Sequence, residues 1–360
     1  MQKDVLSSRQ LICITALYII GSSSVIGSSG IAKRDTWIAM LLAILAAVPL
    51  VLLYARISTL YPGQTLFDII YTVFGGKLGW LVTLATTVYC FQLGTLVLRD
   101  FPEFVHAASL HKTPTIVFTL LLGLVCAYLA KLGVSSFGKA GILFSWIVGF
   151  IVVFTFLFLI PHMDVKHLRP VLSTSWDVIA LNSGKLLSAP FGETVLLLCL
   201  FCNFKAGQSK KRSFLIGLLL GGAYLVISVL RNIMALGAEN FSSLYFPSYS
   251  AVSTINIGDF LQRVEVMVAG HLLICDIMKI SIAIYATCLG VVKLLKLEDY
   301  KKVVLPITLL MVPLSTMAFD NTMQFFHWSP AYFLLSFPFE LCIPLLLWLY
   351  GEIKGPRGTQ

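Results

Sequence analysis

Charge is scarce in this chain. Only 12% of its 360 residues are charged, against 58% that are apolar, and the mean hydropathy is +0.89. A water-soluble domain of this size carries about a quarter charged residues, so a soluble fold is excluded. Catalytic signatures are missing as well. There is no His-Glu-x-x-His zinc site, no nucleotide-binding loop and no serine-nucleophile elbow. An enzyme is not expected, nor is a cofactor. The first apolar stretch, residues 11–31, lacks a small-x-small cleavage site ahead of a polar mature domain. It reads as an uncleaved first span rather than a signal peptide.

The eight cysteines all fall in apolar segments. Cys199 and Cys202 have metal-like spacing, but no second pair and no nearby histidine accompanies them, so they read as small buried apolar residues. The formal charge of +9 does not point to nucleic acid. The basic residues are scattered through short loops between apolar blocks, as a membrane-topology signal is.

Apolar length gives about ten spans, near residues 10–29, 37–57, 78–98, 114–132, 140–160, 184–204, 213–236, 260–293, 303–319 and 330–350. An even count puts both termini on one side of the membrane. The lysine and arginine excess, with Lys205, Lys210, Lys211 and Arg212 as its densest cluster, puts that side in the cytoplasm. Between spans two and three, Leu66, Ile69, Ile70 and Val73 share one helical face, which predicts a short helix along the inner interface. The outer stretch 161–182 is polar and proline-containing. The outer stretch 238–258 carries Phe241, Tyr245, Phe246 and Tyr249, and is either a cap over an external vestibule or a plain interfacial loop.

Two spans are poor helix. Span one contains Gly21-Ser22-Ser23-Ser24-Val25-Ile26-Gly27-Ser28-Ser29-Gly30, and span six contains Ser188-Ala189-Pro190-Phe191-Gly192-Glu193. Non-helical backbone survives at membrane depth only where protein or a water-filled cavity satisfies it. Interruptions at matched positions of two halves mark a transporter-type site. Here they open each of two five-span halves, residues 9–160 and 183–350, within one transmembrane domain covering 1–360. Close packing through small residues and a simple proline kink are the plainer alternatives.

Ionisable residues within spans are functional candidates. Glu193 either binds a ligand ammonium or caps the half-helix after the break. Asp276 and Lys279 lie three apart on one face of span eight, and Glu265 is on the same stripe. Glu340 between Pro338 and Pro344 reads as a helix-packing hydrogen-bond acceptor, and His271 as a satisfied packing histidine.

Four runs carry a resemblance: Lys33-Arg34-Asp35-Thr36-Trp37-Ile38-Ala39, Tyr61-Pro62-Gly63-Gln64-Thr65-Leu66, Pro190-Phe191-Gly192-Glu193, and Ile257-Gly258-Asp259-Phe260-Leu261-Gln262-Arg263-Val264-Glu265. With the span order, they resemble the spore germination permeases, the GerAB-type B subunits of germinant receptors, in the amino acid–polyamine–organocation superfamily. The resemblance implies an all-α LeuT-like fold of two inverted five-helix repeats with helices one and six broken. It also implies a subunit that binds an amino acid or similar small germinant at the membrane midplane and triggers germination, or alternatively a proton-coupled amino-acid transporter. Gly21, Ser24, Gly27, Ser28, Pro190, Phe191, Gly192 and Glu193 would then bind ligand, with half-helix N–H groups facing its carboxylate. Lys279, with Asp276, would stand where sodium-coupled relatives hold a cation, or couple protons. The implied partners are a larger subunit with soluble domains and a lipoprotein, and the implied location is the spore inner membrane.

Overall fold

The computed structural model describes residues 5–25, 30–108, 113–255, 264–319, 321–327 and 329–354. Among these, regular structure is helical apart from one isolated bridge, in which Leu6 N–H donates to Asn203 O (2.8 Å) and Lys205 N–H to Leu6 O (2.9 Å). This bridge ties the entry of span one to the exit of span six. A capping box then starts α1 (Ser8–Ile20): the Ser7 N–H donates to Gln10 Oε1 (2.9 Å) and the Gln10 N–H returns to Ser7 Oγ. The helix ends at Gly21, whose φ of 35° lies in the region glycine favours, and a 3-10 turn, Ser22–Ser24, follows.

Span two is α2 (Thr36–Leu60), and the predicted interfacial helix is α3 (Leu66–Phe74). Leu66, Phe67, Ile69 and Ile70 of α3 are buried, and Val73 is half-buried. Spans three to five are α4 (Gly76–Ala108), α5 (Thr115–Leu132) and α6 (Val134–Leu159). The α4 helix runs further than the expected end near residue 98. Its polar stretch is accommodated because Arg99 pairs with Glu103 (2.6 Å) and donates to the Ser315 and Phe319 carbonyls. Span six comprises α7 (Trp176–Leu186), an irregular stretch, and α8 (Leu198–Phe201). It starts earlier than the expected residue 184.

Span seven is α9 (Lys210–Leu236). Two short helices follow, α10 (Ala238–Ser243) and α11 (Pro247–Val252). Span eight is α12 (Glu265–Leu295), span nine α13 (Lys301–Met317). After α14 (Thr322–His327), span ten comprises α15 (Ser329–Phe337), a π-turn Pro338–Cys342, and α16 (Ile343–Lys354). Eight helices among the described residues are long and apolar enough to cross a membrane. Two of the ten expected spans fall short as single helices: α1 has 13 residues because it breaks at Gly21, and α13 has 17.

Glycines let the first helices approach α9 closely. A Cβ on Gly221 would lie 3.0 Å from the Ile19 side chain, and one on Gly222 would lie 2.9 Å from Ile44. Small residues at such contacts supply the packing that replaces a hydrophobic drive between helices in lipid. The α12 helix is the central pillar. Its Cys275, Met278, Ile280, Ile282, Ala283, Ile284 and Ala286 are fully buried. By contrast, Trp146 and Phe150 on α6 are more than 60% exposed, at 69% and 64%, as a lipid-facing surface requires. At the end of the bundle expected from the charge pattern to face outward, Phe246, Ala251 and Val252 pack with Phe104, Leu159, Val268 and Leu272. The aromatic stretch after span seven is therefore a packed cap, not a plain loop.

At the opposite end, expected to face inward, α3 is anchored by a capping box between Thr65 and Asp68 and by Lys293 of α12, 2.5 Å from Asp68. Partial burial raises the Asp68 pKa, but hydrogen bonds from Lys293 and Thr65 outweigh it and hold the carboxyl below its ordinary 3.8. A depressed folded-state value means that this stabilisation is full above the ordinary value and is lost as pH falls through the folded value. The pair is more than a third exposed and screened by solvent, so Asp68→Asn is expected to cost only about 1 kcal/mol. Hydrogen exchange of α3 amides checks this. Protection in the wild type should fall below pH 3.8, and in Asp68→Asn it should be lower at neutral pH with no further acid-dependent drop.

Candidate functional site

Both expected breaks are present, and one lysine joins them. In span six, a π-turn over Leu187–Phe191 carries Ala189 at φ −112°, ψ 112°, and a tight 3-10 stretch Gly192–Leu197 follows. Pro190, Phe191, Gly192 and Glu193 are all buried here. Glu193 does not cap the half-helix. Its Oε2 lies 2.5 Å from Lys279 Nζ of α12, and its Oε1 accepts from Tyr332 Oη of α15 (2.7 Å). The lysine stem also lies against the span-one break. A Cβ on Gly21 would be 3.2 Å from Lys279 Cδ and 3.6 Å from its Nζ, and the ammonium sits 5.7 Å from the Tyr18 ring centre. Both charged side chains of the pair are nearly inaccessible, at 3% and 4%.

The short contact of Lys279 is with Glu193 of another span rather than with Asp276. Asp276 is fully buried, and neither of its carboxyl oxygens has a hydrogen-bond partner among the described residues. Helical neighbours three apart share a face, but the flexible lysine stem takes its ammonium to the carboxylate across the interface. A further buried acid is Asp100 of α4.

A second carboxylate lies behind the span-six break. Glu340, on the π-turn of span ten, accepts from Tyr89 (2.9 Å) and Ser188 (2.8 Å), and Ser188 also meets Ser336 (2.6 Å). Tyr54 donates to the Glu340 carbonyl (2.5 Å), with the Gly192 carbonyl 3.3 Å away. Glu340 is thus the packing acceptor expected from sequence. Any Cβ at Gly192 would collide with its carboxylate. The Gly192 N–H, expected among the free donors, instead serves the Leu187 and Ser188 carbonyls. A groove of about 840 Å³ between α2, α7, α15 and α16 reaches this network at Ser188 and Glu340.

Toward the end of the span-one break expected to face outward lies a polar cluster around Ser24. Ser24 Oγ meets His271 Nε2 (3.3 Å), and the His271 ring meets Tyr224 Oη (3.3 Å), which satisfies that histidine as expected. The Ser24 carbonyl accepts from Ser228 (3.4 Å) and from Ser248 of the outer cap. Ser248 accepts from Asn232 Nδ2 (2.9 Å), and Asn232 Oδ1 accepts from Arg231. The sequence signal for Arg231 is its place inside span seven, several residues short of the end of α9.

Gly27 and Ser28 lie outside the described residues, as does the 257–263 part of the run ending at Glu265. The cysteines are free thiols, and no group of three or more metal-ligating side chains occurs among the described residues.

Two solved transporters share the architecture. The crystal structure of MhsT in complex with L-phenylalanine superposes with a TM-score of 0.68, covering 99% of this chain and 98% of that one at 12% identity. Mhp1, a nucleobase-cation-symport-1 family transporter in a closed conformation with bromovinylhydantoin bound, gives 0.62, covering 95% and 80% at 10% identity. These likenesses show the LeuT-like fold. In sequence, the chain is 29% identical over 369 aligned positions to spore germination protein KB of Bacillus subtilis (strain 168), covering 100% of this chain and 98% of that protein. It is 23% identical to the putative spore germination protein YfkT of the same organism, covering 91% and 90%. The model of the spore permease family, described as spore germination protein, matches residues 5–324. A multi-pass membrane chain with helices broken in spans one and six, and matched over most of its length by that model, belongs to the spore germination permease family.

Proposed function

We propose that this protein is the permease-like subunit of a germinant receptor, and that it binds an amino acid or similar small germinant between the breaks of spans one and six. The observation that carries the reading is Lys279, which joins the centre of span eight to Glu193 in one break and to Gly21 in the other. A solute that separates or replaces this contact changes how the broken helices sit against the scaffold helix, and such a differential contact is what a conformational signal requires. The lysine fills with a fixed charge the place where a coupled cation would tie these elements. In this reading the protein lies in the spore inner membrane with both termini on the core side. It works with a larger subunit bearing soluble domains and with a lipoprotein.

A thermal-shift screen of the purified protein against amino acids, purine nucleosides and sugars tests the reading. An amino acid present at 100 times its Kd should add about 2.7 kcal/mol of stability. If nothing in the screen raises the melting temperature, the reading fails.

Asp276 favours a second reading, a proton-coupled amino-acid transporter. A fully buried carboxyl without a hydrogen-bond partner is suited to gaining and losing a proton during a cycle. Proteoliposomes separate the two. Amino-acid uptake driven by a pH gradient and lost in Asp276→Asn supports transport, and binding without uptake supports the sensor.

A further inference from the structure

Arg231 is a buried cation without a buried anion. Its residue exposure is 5%, and it forms no ion pair with any carboxylate among the described residues. Its acceptors are neutral: Nε and Nη2 donate to Asn232 Oδ1 (3.1 and 2.9 Å), and Nη1 to Thr155 Oγ1 (3.4 Å). A guanidinium keeps its charge in any protein and presents five N–H donors, so among the described residues part of its hydrogen-bonding capacity and all of its charge stay unmatched. Leaving such a charge unpaired in low dielectric is destabilising. A chain that retains it has a use for it.

The surroundings indicate that use. The Nε/Nη2 edge is the edge that grips carboxylates with two parallel hydrogen bonds. Here a single amide oxygen, Asn232 Oδ1, occupies both donors. The Asn232 amide in turn holds Ser248 of the outer cap, and Ser248 and Ser228 hold the Ser24 carbonyl at the span-one break. The network of Arg231 therefore reaches the Ser24 end of the turn Ser22–Ser24.

We propose that Arg231 is the carboxylate-recognising residue of this protein: the anionic group of a small solute displaces Asn232 Oδ1 from the guanidinium fork beside the span-one break. The solute class is a small carboxylic acid or zwitterion. This rests on the reading that the chain binds a small solute, and it moves the carboxylate contact from the half-helix N–H groups to an arginine of span seven.

The test is calorimetric titration of the purified full chain in lipid nanodiscs. The probes are the amino acids that stabilise the wild type, the carboxamide of each, and acetate and propanoate as bare carboxylates. In the wild type, an amino acid should bind at least roughly 30-fold more tightly than its carboxamide. In Arg231→Met the two should bind equally weakly, while the ligand-free melting temperature does not fall, because methionine removes an unpaired buried charge. A purely structural arginine would show the reverse, a lower melting temperature with unchanged affinity, and that overturns the proposal. Should Arg231→Met fail to fold, Arg231→Lys keeps the charge without the fork. About tenfold weaker binding is then expected, and wild-type affinity overturns the proposal. Stabilisation by chloride that needs Arg231, with amino-acid affinity unchanged, assigns the residue to a free inorganic anion and also overturns it. If no amino acid binds the wild type, the amino-acid reading fails on its own. Arg231-dependent binding of acetate or propanoate then upholds the carboxylate site, and its failure ends it.

Discussion

Replacing Lys279 by methionine is expected to destabilise the protein by about 3–5 kcal/mol, because it leaves the Glu193 carboxylate buried without its cation. Glu193→Gln should cost a similar amount from the other side. The double variant Glu193→Gln/Lys279→Met should recover most of the loss, since neither charge then remains. Equilibrium unfolding in detergent, or melting temperature with protein yield, reads all three against the wild type. Additive losses in the double variant would mean that the 2.5 Å contact is not an energetic unit. The same pair gives a second expectation. If, as proposed, Lys279 stands in place of a mobile cation, ligand binding by the wild type should not depend on sodium.

The second large effect is expected at Gly192. Valine there collides with a Glu340 carboxylate that Tyr89 and Ser188 hold in place, so the acid cannot swing aside without losing buried hydrogen bonds. Overpacking typically costs about 1–3 kcal/mol, and stranding a buried carboxylate adds a similar amount. Gly192→Val should therefore lose stability and ligand binding together. Gly192→Ala/Glu340→Ala, which makes room for the new methyl group, should restore much of the stability lost in Gly192→Ala. If Gly192→Ala alone melts as the wild type does, the close approach of spans six and ten is not as described.

The helices and their two breaks were legible in the sequence because both are compositional. Long apolar runs give the spans, and the Gly-Ser run after Ile20 and the Pro-x-Gly after Ala189 cannot continue a helix. The interfacial helix was legible from the face that Leu66, Ile69 and Ile70 share. Boundaries were less so: α4 continues past Arg99 because a partner in α4 and carbonyls in the last turn of α13 and just after it satisfy that residue, and no local pattern shows either.

Within the site, Glu193, Asp276 and Lys279 stood out as charges at membrane depth, but their pairing did not. Spacing along α12 places Asp276 beside Lys279, whereas the ammonium reaches Glu193, contributed by a different span. Arg231 escaped notice for the opposite reason. A basic residue near the end of a span reads as one that snorkels to the interface, and only the folded arrangement shows it turned inward to Thr155 and Asn232. The Gly192–Glu340 approach is a contact between spans six and ten, which no single segment encodes.

The most direct test of a solute site tied together by Lys279 is the affinity of the best-binding amino acid for the Glu193→Gln/Lys279→Met double variant, measured by calorimetry in the same nanodiscs as the wild type. The account predicts a folded double variant, melting within about 5 °C of the wild type, with affinity at least roughly tenfold lower. Equal affinity in a double variant that folds normally would contradict it.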